Sequence, residues 1–269
     1  MEVVSGLRLA SISSSSTRGN AYLVWGGSSR PVLIDCGISI RRLVCALREL
    51  GMEPRDLAGL FITHEHSDHI GAMCLATPVA QKFGIPVYSS QGFWRWYREK
   101  RGYHLDPSLV RVISHGETAV VGGTSVTAFA KPHDAAEPLG FVVEIEGERA
   151  SFAMDLGHVP EPVERMLHGS EYLVFESNHD VEMERNSGRP LYLIRRVLGN
   201  LGHLSNDQAG EALSGLVTRG TREVVLAHLS IDCNTPEMAV GVVSSCLSRC
   251  GKSCKVSAAP AGSLAVYGE

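Results

Sequence analysis

Short apolar runs recur along the chain, most of them ending in a polar residue or a glycine turn. Pro31–Ile34, Leu60-Phe61-Ile62, Ala150–Met154, Tyr172–Phe175 and Val224–Ala227 are the most compact of these. Runs of this length and density read as buried strands. Between them the spacing becomes helical. Leu43, Val44, Leu47 and Leu50 recur on one face of 39–50, and Gly51 supplies the stop. The same reading predicts helices over about 72–83, 91–101, 160–168, several segments up to about 219, and 235–250. Further strands are expected at 3–12, 20–25, 85–88, 255–258 and 263–268. From Leu109 to Phe141 the pattern shifts to short strands separated by turn glycines such as Gly122-Gly123. Two β-rich halves, each with helices following its strands, predict two packed sheets with helices outside.

The polar residues closing the runs carry the chemistry. Directly after Leu60-Phe61-Ile62 comes Thr63-His64-Glu65-His66-Ser67-Asp68-His69. Imidazole and carboxylate are good ligands for zinc-like dications. Alternate spacing lets His64 and His66 converge on one ion while Asp68 and His69 face another. The His-Glu-x-x-His zincin pattern is absent, because Asp68 occupies the place of its second histidine. His133, Asp155 and His228 also stand just beyond strands. Alone, each is an ordinary turn residue; together with the loop they fit one crevice. Asp35 closes another strand and could itself be a ligand, but with seven better ligands available it is expected to hydrogen-bond a metal-binding histidine or a loop amide.

Composition narrows the setting. The net charge of −4 over 269 residues argues against wholesale electrostatic binding to nucleic acid, yet leaves room for a local basic track. Seven cysteines, no secretory pattern in Met1–Ser16 and no bilayer-length apolar stretch suit a soluble, reducing, cytoplasmic setting without a membrane partner. Cys246, Cys250 and Cys254 read as free thiols. Two basic tracks stand out. Arg185, Arg189, Arg195 and Arg196 fall within twelve residues, where Leu191, Ile194 and Leu198 are expected to form the buried face and Arg196 to point outward, with Arg195 at its flank. Trp94, Trp96 and Tyr97 alternate with Arg95, Arg98, Lys100 and Arg101 and offer rings for base stacking. His104, His115, His158 and His168 read as surface or structural residues.

In order and separation, His64-x-His66-x-Asp68-His69, His133, Asp155 and His228 resemble the metallo-β-lactamase fold. Glu176-Ser177-Asn178-His179-Asp180, Gly202-His203-Leu204-Ser205-Asn206, His133–Pro138 and His228-Leu229-Ser230 with Asn234 are similar to the YycJ/WalJ-type exonuclease branch. The resemblance runs from Ser16–Asn20 to the last strands. It implies one domain over 1–269, an αββα sandwich of two mixed sheets, and two divalent metal ions, Zn²⁺ or Mn²⁺. His64, His66 and His133 would hold the first ion, Asp68, His69 and His228 the second, and Asp155 would bridge them. It also implies a nucleic acid substrate, DNA, cleaved from 5′ ends with a metal-bridging hydroxide as nucleophile. Asp68 would orient that nucleophile. His203 is expected to protonate the leaving oxygen or bind phosphate, and His179 to bind phosphate or support a ligand. Asn178, Ser205, Asn206, Asn234, Arg195 and Arg196 would contact substrate. Ser205 or Asn206 alternatively caps the helix that follows.

The alternatives are a small-molecule ester, lactone or thioester hydrolase of the same fold, an RNA-processing nuclease, and a scaffold with a structural metal. No insert matches the tRNA-binding additions of the related ribonucleases. Barely forty residues follow His228, too few for the helical domain of the thioester hydrolases. A structural zinc needs only four closed ligands.

Overall fold

The structure is a computed structural model and describes residues 6–101 and 105–268. β1 (Leu7–Ser13), β2 (Ala21–Gly26), β3 (Val32–Ile34), β4 (Gly59–Phe61), β5 (Val87–Ser89) and β6 (Val110–Val112) lie side by side in one sheet. The second sheet contains β7 (Thr118–Val121), β8 (Thr124–Ala130), β9 (Leu139–Ile145), β10 (Glu148–Ala153), β11 (Tyr172–Glu176), β12 (Glu223–Ala227) and β13 (Lys255–Ala258). The final strand, β14 (Ala265–Tyr267), crosses back to pair with β1.

Each sheet is antiparallel at first and parallel later. β1, β2 and β3 pair antiparallel and β3 to β6 parallel. β7 to β10 pair antiparallel and β10 to β13 parallel. Tight turns make the antiparallel pairs, as at Gly122-Gly123, where both φ values are positive as a two-residue hairpin turn requires. Parallel pairs need crossovers, which is why helices follow β3, β10, β11 and β12.

Three apolar layers hold this together. Tyr22, Phe61, Phe141 and Phe152 fill the space between the sheets, with ring centroids 5.7 Å apart for Tyr22–Phe152 and 5.5 Å for Phe61–Phe141. Leu43 and Leu47 of the helix Ile40–Glu49 pack on the outer face of the first sheet, with Phe93, Trp94 and Tyr97. Leu213 and Leu216 of Asn206–Leu216 and Val243 and Leu247 of Pro236–Arg249 cover the second. The architecture is the expected αββα sandwich. No described helix is long and apolar enough to cross a membrane.

Two local expectations fail. The helix predicted over 72–83 is broken into short turns, Ser67–Ile70, Gly71–Met73 and Val79–Phe83. Pro78 accounts for the gap, since proline lacks a donor and its ring disfavours helical backbone in the preceding residue. In Leu191–Val197 the buried side chains are Ile194 and Val197, whereas Leu191 and Leu198 are exposed.

Candidate metal centre

Imidazoles gather first. His64 and His66 follow β4, and His133 follows β8. His66 Nδ1 lies 3.0 Å from His64 Nε2 and 3.2 Å from His133 Nε2. The other nitrogen of each buried ring is already engaged: His64 Nδ1 with Thr63 Oγ1 at 2.9 Å, His133 Nδ1 with the Gly202 carbonyl at 3.2 Å. Burial lowers the pKa of all three, to about 3 for His133, where Lys131 and His203 add to the effect. Three neutral imidazoles therefore aim lone pairs at one point. Without a cation between them such lone pairs repel.

A second group adjoins it. Asp68 Oδ2 lies 3.1 Å from His228 Nε2 and 3.4 Å from His69 Nε2. Asp155 reaches both groups: Oδ2 is 3.1 Å from His69 Nε2, and Oδ1 is 3.6 Å from His133 Nε2 and 3.5 Å from His228 Nε2. Asp155 Oδ2 is buried with no hydrogen-bond partner of its own. Here the titrations run the other way. Burial disfavours charge on His69 and His228, but Asp155 and Asp68 outweigh it, raising both and bringing His228 to about 10. Protons on these rings stand where cations would. The seven residues expected as ligands are thus brought together, and the donor set fits divalent metal binding.

A pH dependence follows. His228 is protonated in the metal-free protein below about pH 10, and a ligand must be deprotonated. Ion binding should release protons, and apparent affinity should fall as pH drops from 9 to 6. Calorimetry in buffers of different ionisation enthalpy measures this release; none at neutral pH would contradict the assignment of His228.

The crevice is built from strained strand ends. Among the described residues four non-glycine positions have positive φ, and three of them line it: Asp35 (57°), Asp155 (56°) and His228 (58°). Left-handed backbone costs an ordinary residue about 1–2 kcal/mol, and such outliers cluster at functional sites. Here the reversal follows β3, β10 and β12 and swings each side chain into the gap between the sheets. Asp35 does as expected: Oδ1 accepts from Thr63 N at 2.8 Å, and Oδ2 lies 2.8 Å from His69 Nδ1. Gly37 is required beside it, because a Cβ there would strike the Asp68 carbonyl.

Glu176 is the residue that sequence reasoning missed. It closes β11 and is fully buried. Its Oε2 accepts from the backbone N–H of Leu156 (2.8 Å) and Leu204 (3.1 Å). Its Oε1 accepts from His203 Nδ1 (2.8 Å) and His228 Nδ1 (2.9 Å). Burial would raise this carboxyl, but His203 and His228 hold it down to about 2. One carboxylate thereby sets both rings in the tautomer that leaves Nε2 facing the crevice. Its position at a strand end, like Asp155 and His228, was the available signal.

The remaining candidates divide. His203 stands at the crevice, 3.7 Å from Asp155 through Nδ1, with its side chain one-tenth exposed. His179 is buried, and neither ring nitrogen has a hydrogen-bond partner among the described residues. Asn178 Nδ2 donates to the His228 carbonyl at 2.7 Å and so braces that candidate ligand. Ser205 is a helix cap, its Oγ accepting from Gln208 N. Asn206 and Asn234 are buried and bonded to each other at 2.9 and 3.0 Å. Their engagement with each other corrects the expectation that they face a substrate.

Both basic tracks change as well. Arg196 pairs with Asp134 at 2.5 Å, Arg189 with Glu184 and Asp232, and Arg185 with Glu182. Asp134 and Asp232 arrive from elsewhere in the fold, while Glu182 and Glu184 lie just before the track. Arg195 alone of the four has no ion pair among the described residues. Trp94 and Tyr97 are core residues, so they offer no stacking face; the side chains of Lys100 and Arg101, like His104, lie outside the described residues. His115 accepts from Ala130 N, His158 Nδ1 lies 3.1 Å from the Asn200 carbonyl and His168 closes a helix, as expected of structural residues. Cys246, Cys250 and Cys254 are free and belong to no ligand group among the described residues.

Residues 30–229 match the family model described as the beta-lactamase superfamily domain. The chain belongs to that superfamily. It is also 32% identical to the exodeoxyribonuclease YycJ of Bacillus anthracis over 91% of each chain. Identity to the exodeoxyribonuclease WalJ of Streptococcus pneumoniae is 30%, over 85% of this chain and 84% of that one. Within the superfamily it therefore sits in the YycJ/WalJ family. Among solved structures, Zn²⁺-bound PqqB from Methylobacterium extorquens superposes with a TM-score of 0.71 at 16% identity, covering 96% of this chain and 99% of that one. That likeness concerns the fold. The protein is an enzyme, a metal-dependent hydrolase of an exonuclease family.

Proposed function

We propose that this protein is a dinuclear-metal-dependent phosphodiesterase that degrades DNA from 5′ ends in the cytoplasm, with all 269 residues forming one domain. The observation that carries the reading is the position of Asp155, whose carboxylate reaches both histidine groups, Oδ1 lying near His133 and His228 and Oδ2 near His69. Kinship with named exodeoxyribonucleases over nine-tenths of the chain supports the choice of substrate. The imidazole group suits zinc, and the carboxylate-rich group admits manganese. Seven free cysteines agree with a reducing compartment.

Divalent cations bound there supply an acidified water and neutralise charge on the phosphodiester. The chain's own residues do the rest. The Asp68 side chain is 19% exposed and faces the opening, where it orients the attacking water. His203 presents Nε2 while Glu176 accepts from its Nδ1; in its doubly protonated form this ring has an Nε2 proton to give to the leaving oxygen. His179, buried with both nitrogens unpartnered, is a further phosphate contact or brace. Arg195, with Tyr192 75% exposed three residues before it, forms a short track for the strand beyond the scissile bond.

The deciding assay incubates the protein with end-labelled single-stranded and duplex DNA and RNA, with Mn²⁺ or Zn²⁺ and a chelator control. Mononucleotide release from 5′-labelled DNA, lost on chelation, is expected; cleavage of RNA alone, or of neither polymer, refutes the proposal. His203→Ala should lower kcat by about 10²–10⁴ with metal content unchanged, as elemental analysis would verify. Arg195→Glu should weaken DNA binding and reduce its salt dependence by about one phosphate contact. An unchanged salt slope removes Arg195 from the track.

A further inference from the structure

Lys131 stands at the end of β8, two residues before the ligand His133, and nothing above uses it. Its side chain is 6% exposed, and no other lysine or arginine is buried among the described residues. A lysine is rarely buried without partners to justify its desolvation. The partners are backbone: Nζ donates to the carbonyl of Met154 at 2.6 Å and to that of Asp155 at 3.1 Å. These carbonyls flank the left-handed turn that aims the Asp155 carboxylate at both histidine groups. Burial disfavours charge on this amine, and Asp155, Glu176, Asp35 and Asp68, the four carboxylates of the crevice, act against that cost.

We propose that Lys131 is a resident counter-cation that pins the Asp155 turn and offsets the carboxylate cluster, so that the ion site is assembled before any ion arrives. This rests on the metal-centre reading and not on the choice of substrate. His69 and His228 are candidate ligands, so their crevice-facing nitrogens are committed to the ions. Lys131 points at backbone oxygens and has no such commitment. Once dications bind, they take over the balancing of the carboxylates. The hydrogen bonds to Met154 and Asp155 are needed in both states, whereas the charge is needed chiefly in the metal-free one.

Lys131→Met keeps an unbranched side chain one atom shorter and removes both charge and donors. Its thermal unfolding should be compared with the wild type in chelator and in excess Zn²⁺ or Mn²⁺. The chelated variant is expected to melt about 10 °C below the chelated wild type, and the loaded variant about half as far below its counterpart. The ion-induced rise in Tm would then be larger in the variant. Equal losses in both states reduce Lys131 to a backbone support and overturn the proposal, as does a larger loss in the loaded state. Lys131→Gln retains one donor without charge and should show the same asymmetry with a smaller common loss. Variants recovered folded only with metal present support the proposal; variants folded under neither condition count against it. If ions do not raise the Tm of the wild type, the metal-centre reading itself falls, and this proposal with it.

Discussion

Glu176→Gln is expected to cut kcat by about 10⁴-fold while leaving the fold intact, the scale of effect seen when a catalytic histidine is locked in the wrong tautomer. The geometry explains both halves. A glutamine carbonyl at the Oε2 position still accepts from Leu156 and Leu204, so the buried N–H groups keep their partner. Its NH₂ then occupies the Oε1 position and donates to Nδ1 of His203 and His228. Both rings must carry their proton on Nε2. His228 can no longer ligate through that atom, and the orientation of His203 towards a leaving group loses its carboxylate support. Elemental analysis should show loss at the Asp68–His69–His228 group with His64, His66 and His133 still able to bind. Glu176→Ala is a different experiment. It orphans two buried N–H groups, each costing about 1–3 kcal/mol, and should destabilise the protein outright. Near-native turnover of Glu176→Gln would mean that neither tautomer matters.

Asp68→Asn should lower turnover at least about 10³-fold, again with folding retained. The side chain stands at the opening of the crevice, where its carboxylate is held well below the usual range by His69 and His228 against the cost of burial. What the fold needs from this residue is backbone: its carbonyl accepts from Asn20 N at 2.7 Å and packs against Gly37. Asparagine preserves that backbone and the side-chain shape but not the charge that faces His228 at 3.1 Å. Circular dichroism and Tm close to wild type, together with lost hydrolysis of labelled DNA, is the expected pair of results. Retained turnover would move the orientation of water to another residue.

Chain order carried much of this. Ligands closely spaced in sequence, His64 to His69, are legible because a strand end followed by a tight turn leaves few ways to arrange them. Asp155 and His228 are legible by a similar rule, since an apolar run that stops at a polar residue places it at a sheet edge. Glu176 obeys that rule but looked like one more strand end, because its four partners lie 20, 27, 28 and 52 residues away. Asn206 and Asn234 looked like substrate contacts because their mutual bond spans 28 residues. The arginine track failed for the same reason: Asp134 is 62 residues from Arg196 and Asp232 is 43 from Arg189.

By itself, the sequence determined the two-sheet layering, through runs whose only stable burial is between or beneath sheets, and singled out the seven side chains that the fold gathers as candidate ligands. The tertiary structure alone decided which polar side chains remain available. A ligand is recognised by its type and by its place at a strand end, both local properties. Whether a histidine is held in one tautomer, an asparagine is engaged, or an arginine is neutralised depends on groups that only folding brings within hydrogen-bond reach. The turn at Asp155, held by Lys131 from the neighbouring strand end, belongs to that second kind.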